Sequence, residues 1–101
     1  MAERDHHITL DAAVLLTHTW QQANQGKRRA WMLPRTIIDE IFKQPECSGI
    51  RMYAAGPADD VTVVVVGTDA KGNDLTAGVI AEQTWPCPPW CPDLSPLLSI
   101  D

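Results

Sequence analysis

Ser48-Gly49-Ile50-Arg51-Met52-Tyr53-Ala54-Ala55-Gly56-Pro57-Ala58-Asp59-Asp60-Val61-Thr62-Val63-Val64-Val65-Val66-Gly67 is the stretch that decides the fold. Ile50 to Ala55 and the β-branched run Val61 to Val66 flank a Gly-Pro-Ala-Asp-Asp turn, the signature of two antiparallel strands. After a second turn, Asp69-Ala70-Lys71-Gly72-Asn73-Asp74, a third strand is expected over about Leu75 to Gln83. The acidic residues of both turns fall at the wrong offsets for a calcium loop. They serve the hairpins, where Asn, Asp and Gly tolerate left-handed backbone.

Upstream of the strands the apolar period changes to that of helices. Thr9 is placed to cap a helix running from Leu10 to Asn24, with Asp11 in its first turn and Gly26 beyond its end. At about 100° per residue, Ala12, Ala13, Leu16, Trp20 and Ala23 share one face, which is expected to be the core stripe. A second helix follows Pro34, from Arg35 to Lys43, with Ile37, Ile38, Ile41 and Phe42 at spacings of three and four, and Pro45 ends it. The fold class is therefore α+β: two N-terminal helices, a three-stranded antiparallel β-meander, and an extended Pro/Trp/Cys-rich C-terminal tail. Residues 1–8 are expected to form a flexible N-terminus, 9–83 one domain, and 84–101 a tail packing on that domain or on a second subunit.

The valines of the central strand point to both faces of the sheet, so something must cover the face the helices leave open. Two covers are expected together: the tail, with Trp85, Trp90, Leu94, Leu97, Leu98 and Ile100, and a second copy of the chain. A chain of 101 residues has a core just large enough to stand alone, and pairing adds burial, so a homodimer is the expected state. The composition, 45% hydrophobic and 21% charged, is that of an ordinary globular domain. A net charge of −5 repels phosphate backbones and anionic lipid surfaces. The cationic run Lys27-Arg28-Arg29, near Trp31 and Arg35, suits the negative pole of the first helix, and no nucleic-acid motif accompanies it. No apolar run reaches the ~20 residues of a membrane span, and the N-terminus has no secretory pattern. A cytoplasmic protein with no nucleic-acid or membrane partner is the expectation.

The tail segment Thr84-Trp85-Pro86-Cys87-Pro88-Pro89-Trp90-Cys91-Pro92 concentrates two of the three cysteines and two of the four tryptophans in nine residues. Several stretches together carry a resemblance: Trp20-Gln21, Gln44-Pro45, Cys47 to Tyr53, Val64 to Asp74, and Cys87-Pro88-Pro89-Trp90-Cys91. Over roughly residues 9 to 92 the chain resembles small, uncharacterised bacterial proteins with a Cys-Pro-Pro-aromatic-Cys tail. That group has no established activity, cofactor or substrate. The resemblance implies a bacterial single-domain protein and transfers no site residues.

Three residues separate Cys87 from Cys91, where redox motifs and zinc knuckles usually have two. A Pro-Pro spacer favours extended backbone, so bridging these cysteines requires a turn at Pro89-Trp90 or a cis proline. Three cysteines in a reducing compartment default to free thiols, and Cys47 reads as a small half-buried residue. As zinc ligands, Cys47, Cys87, Cys91, His6, His7 and His18 suffice in number but lack standard spacing. No base is paired with a cysteine in the sequence, so enzymatic thiol chemistry has no support. The functional expectation is a non-enzymatic interaction protein, a cofactor-free homodimer that engages another protein through its sheet face or through Trp85, Trp90, Leu94 and Leu97. The alternative is a small redox or zinc protein using Cys87 and Cys91, with Cys47.

Overall fold

The first helix, α1 (Leu10–Ala23), begins where Thr9 Oγ1 accepts a hydrogen bond from the Ala12 amide at 3.1 Å. It ends where the Asn24 side chain returns to Trp20 O at 2.8 Å and Gly26 takes a positive φ of 80°. These observations come from a computed structural model, which describes residues 4–99. The expected flexible N-terminus falls in part on residues 1–3, and Ile100 in the expected tail cover also lies outside the described residues. The remaining elements are β1 (Ala30–Met32), α2 (Arg35–Phe42), β2 (Gly49–Ala55), β3 (Thr62–Thr68), β4 (Ile80–Ala81) and β5 (Trp85–Cys87). The chain is α+β; its described residues form two helices and two antiparallel sheets, one of them three-stranded.

The larger sheet has the order β2-β3-β4. Its first pair runs in full register from Gly49↔Thr68 to Ala55↔Thr62, as the two β-branched and aromatic runs dictate. The third strand is far shorter than expected, two residues in place of nine. Gly78 and the turn before it occupy the rest of Leu75 to Val79, and there the Gln44 side chain substitutes for a strand partner: its Oε1 accepts from Val79 N at 3.0 Å while its Nε2 donates to Ile41 O at 2.9 Å.

Alternation along β3 puts Val63, Val65 and Gly67 on one face and Val64, Val66 and Thr68 on the other. The first face receives α2: Ile41 is wholly buried against Val65 and Ala81, with Leu33, Ile37, Cys47, Ile50, Val63 and Val79 around them. The second face carries Arg51, Tyr53 and Ile80. Arg51 donates to Gly72 O at 3.0 Å and, like the Tyr53 hydroxyl, to the carboxylate of Asp74. The tail meets this face at its start, where Thr84 and Thr62 hydroxyls are 2.9 Å apart. From Trp85 onward it goes elsewhere.

The tail is not simply extended. Its β5 pairs with β1 in a second, two-stranded sheet where an extended tail is expected, in register Ala30↔Cys87, Trp31↔Pro86 and Met32↔Trp85. Pro86 is tolerated because β5 is an edge strand. The Trp31 indole N–H, on the opposite side of β1 from Met32, donates to Val61 O at 2.8 Å and ties the two sheets together.

The expected core stripe of α1 is corrected. Ala12, Leu16, Trp20 and Ala23 are exposed, and the half-buried or buried residues are Ala13, Val14, Thr17, His18, Gln21 and Asn24. What α1 meets is tail backbone, and backbone amides and carbonyls need polar partners. His18 Nε2 lies 3.0 Å from Pro96 O, Gln21 Nε2 donates to Leu97 O at 3.0 Å, and Gln21 Oε1 accepts from Ser99 N at 2.7 Å. The helix turns Thr17, His18 and Gln21 inward beside Ala13 and Val14, and leaves Ala12, Leu16, Trp20 and Ala23 outward.

Candidate functional site

Pairing of β1 with β5 places Met32 and Trp85 opposite one another on one side of the small sheet. Beyond Cys87 the chain reverses. The Cys87–Pro88 and Pro88–Pro89 peptides are both cis, and the two cysteine Cα atoms come within 4.6 Å with their sulfurs bonded. Cys87 and Cys91 are thus bonded to each other where free thiols were expected, because the chain reverses within a Pro-Pro spacer expected to run extended. Cys87 is buried and Cys91 half-buried.

Several backbone contacts hold this loop. Trp90 N donates to Pro86 O at 2.9 Å, Cys91 N to Pro89 O at 3.1 Å, and Arg29 N to Cys87 O at 2.6 Å. The Arg28 guanidinium donates to Pro88 O and, at 2.9 Å, to Asp60 on the β2–β3 turn.

The loop delivers Trp90 to Trp85. Their ring centroids are 5.0 Å apart with planes at 78°, an edge-to-face pair. Such pairs contribute about 0.5–1.5 kcal/mol beyond area burial, so the two rings brace each other although each is largely exposed. With Met32, Pro92 and the disulfide they line an open cleft of about 370 Å³. Among the described residues no ionisable side chain lines it. Its walls are aromatic and apolar side chains, the kind of surface on which apolar, aromatic or proline groups can pack.

The four residues expected to meet a partner are thus divided. Trp85 and Trp90 stand together at this cleft. Leu94 is 95% exposed, two residues past Pro92. Leu97 turns toward α1 and helps line a smaller cavity of about 220 Å³ with Thr17, Gln21, Arg29, Cys87 and Leu98. Met32 belongs to the aromatic cleft and was missed, because a lone methionine before a helix gives no signal of a strand pairing across more than fifty residues.

The three cysteines are not gathered. Cys47 is half-buried at the corner between α2 and β2, where its thiol donates to Gly49 O at 3.2 Å and faces Gly67. His7 lies 2.8 Å from Asp5 near the N-terminus, and His18 lies under the tail. Among the described residues no three His, Cys, Asp or Glu side chains converge.

A second charged cluster lies on the outer sheet face. The Tyr53 hydroxyl and the Arg51 guanidinium, both donating to Asp74, hold its carboxyl below the ordinary carboxylate range against a smaller opposing effect of burial. Reciprocally, the Tyr53 phenol is raised, chiefly by its bond to Asp74, and so is the Arg51 guanidinium. In the preceding turn Asp69 is also lowered, first by the Asn73 amide. Its Oδ1 accepts from Lys71 N and Asn73 N at 2.9 Å each, which is turn chemistry as expected.

Among the described residues no helix is long and apolar enough to cross a membrane. Comparison of the chain with protein-family models, curated proteins and solved structures finds no match.

Proposed function

We propose that the chain is a non-enzymatic interaction protein, a homodimer that takes another protein on the aromatic cleft of its tail. One observation carries this reading: the fold leaves more large apolar side chains outside than in. Among the described residues five apolar ones are buried, while fourteen large hydrophobics, from Ile8 to Leu97, are exposed. The accessible surface of 7725 Å² exceeds the about 5,700 Å² of a compact monomer of this mass. The radius of gyration, 15.2 Å, likewise exceeds the about 13 Å of a compact chain of this length. Surface of this amount and kind is what association removes from water. The rigid Trp85–Trp90 pair is the anchor that a partner would fill, since aromatic anchors in preformed clefts cost little entropy to order. Neither part of this reading takes a cofactor.

The Cys87–Cys91 bond favours a second reading, thiol–disulfide chemistry at the tail, in which the half-buried Cys91 sulfur is the accessible one. Native mass spectrometry of protein purified without chelator, before and after mild reduction, separates the readings. The interaction protein is expected as a metal-free dimer whose subunit number survives reduction. A monomer under all conditions or a bound zinc ion would overturn it. Replacing both cysteines by serine should abolish any exchange activity and leave the subunit number unchanged, while partner binding weakens only as far as the loop carrying Trp90 loosens.

A further inference from the structure

We propose that the outer face of α1 is the surface through which two copies pair, as antiparallel helices about a two-fold axis near Leu16 and Thr19. The proposal rests on the homodimer reading and specifies its interface. Along this face Ala12, Leu16, Thr19 and Ala23 follow one another at spacings of four, three and four, the seam of a helix that packs against another helix. Leu15 and Trp20 border the seam on either side. Exposures of 69% for Leu15, 64% for Leu16 and 44% for Trp20 leave them open among the described residues. Those three side chains and the smaller residues between them present on the order of 500 Å² per copy, at the small end of specific interfaces.

A second copy fits this face better than an unlike partner for three reasons. First, the seam is complementary to itself. In the antiparallel register that sets Ala12 opposite Ala23 and Leu16 opposite Thr19, each large residue meets a smaller one, and the alanines at the ends let the helices approach closely. Second, the face is nearly uncharged. Asp11 and His18 are the only ionisable groups of α1, and His18 is turned toward Pro96 O in the tail. Each chain carries a net charge of −5, so copies meet best where charge is lowest. Third, orientation separates the remaining charges. Antiparallel pairing holds the two Asp11 carboxylates about 20 Å apart along the axis at 1.5 Å per residue, beyond the ~8 Å screening length, and opposes the helix dipoles. Parallel pairing would set the carboxylates side by side. The inward polar residues of α1 complete the case. A helix held to its own chain by Gln21 and His18 has its apolar face available for another molecule.

Sedimentation equilibrium tests the proposal on the wild type, Leu16→Glu, Ala12→Glu and, as a control on an exposed apolar residue at the end of α2, Phe42→Glu. The wild type and Phe42→Glu are expected to be dimers. Either seam variant should weaken dimerisation by roughly a hundredfold or more, since each dimer would bury two uncompensated carboxylates. Both positions are exposed, so far-UV circular dichroism should not change. Oxidative crosslinking in a Cys47→Ser background reads orientation: Ala12→Cys should crosslink with Ala23→Cys in a mixture of the two proteins. A wild-type dimer untouched by both glutamates would overturn this interface and leave the homodimer standing. Self-crosslinking of each cysteine variant, with no mixed product, would overturn the antiparallel arrangement. A wild-type monomer would overturn the homodimer itself, and this interface with it. If that monomer binds neutral phosphatidylcholine vesicles and Leu16→Glu does not, the face belongs to a membrane surface instead.

Discussion

Gln21→Ala tests whether the tail holds α1 through a single polar side chain. Gln21 is 4% exposed, and its amide closes two bonds at once, to Leu97 O and from Ser99 N. Each such bond contributes about 1 kcal/mol net. The lost methylene adds ~0.8 kcal/mol. Leu97 and Ser99 lie near solvent, so water recovers part of that sum, and a loss of about 2 kcal/mol is expected, or roughly thirtyfold in the opening equilibrium. The loss should be local, because α1 meets the rest of the chain chiefly through the tail, and His18 and Arg29 still grip Pro96 and Ser99. Native-state hydrogen exchange is the assay: the Ser99 amide, deprived of its acceptor, should lose its protection, and the Leu98 amide, which donates to Ser95 O, should exchange up to about thirtyfold faster, while Val65 and Val66 in the central strand keep their protection. Gln21→Glu refines the test. It retains an acceptor for Ser99 N–H but sets a carboxylate against Leu97 O. Its folded pKa should therefore be raised, with stability present at low pH and lost as pH rises through that value. Unchanged exchange at Ser99, or equal loss of protection across the β2-β3 sheet, would refute the clasp.

Three further outcomes are expected. Asp74 has a folded pKa below its ordinary value of ~3.9, so its contribution is present above that value and lost as pH falls through the folded one; Asp74→Asn should flatten the acid limb of a stability–pH profile, and an unaltered limb would count against the cluster. In Gly78→Ala the new methyl would collide with the Gln44 amide and break its bonds to Val79 N and Ile41 O. The expected loss is about 1–3 kcal/mol in urea unfolding, and it should largely vanish when Gln44→Ala is already present. Reducing the Cys87–Cys91 bond opens a five-residue loop, which chain entropy values at about 2 kcal/mol. Calorimetry should show that loss together with increased fluorescence from Trp85 and Trp90; no change in either would mean that β1–β5 pairing alone holds the loop.

What was legible in the sequence follows from the range of the interactions that built it. Thr9, the helix period of α1 and α2, and the paired runs of β2 and β3 are local signals, and those elements stand within one or two residues of expectation. The small β1–β5 sheet was not legible. Its strands are three residues each, interrupted by Pro86, and joined by a pairing across more than fifty positions. The length of the third strand depended on Gln44, a helix-end residue whose amide replaces ladder bonds. The candidate site was half legible: Trp85, Trp90 and the cysteines drew notice by composition, while Met32 entered through strand register. Which face of α1 turns inward was misread for a definite reason. Amphipathic periodicity assigns the apolar face to the core only when an apolar surface awaits it, and α1 is met by carbonyls and an amide of the tail.

That inversion links stability to association. With Ile41 at the centre of one small cluster and α1 attached largely through polar contacts, the isolated chain is expected at the low end of the stability range for a domain of its size. A second copy binding the apolar face of α1 binds the folded chain and not the unfolded one, so pairing adds stability by mass action. The midpoint of thermal unfolding should then rise with protein concentration in the wild type and lose that dependence in Leu16→Glu. The β2-β3 register and the Ile41 cluster would be the same in both proteins, so the difference would measure association alone. A midpoint independent of concentration in a wild type that sediments as a dimer would mean that the dimer outlasts the fold of its subunits, and coupling through α1 would be wrong.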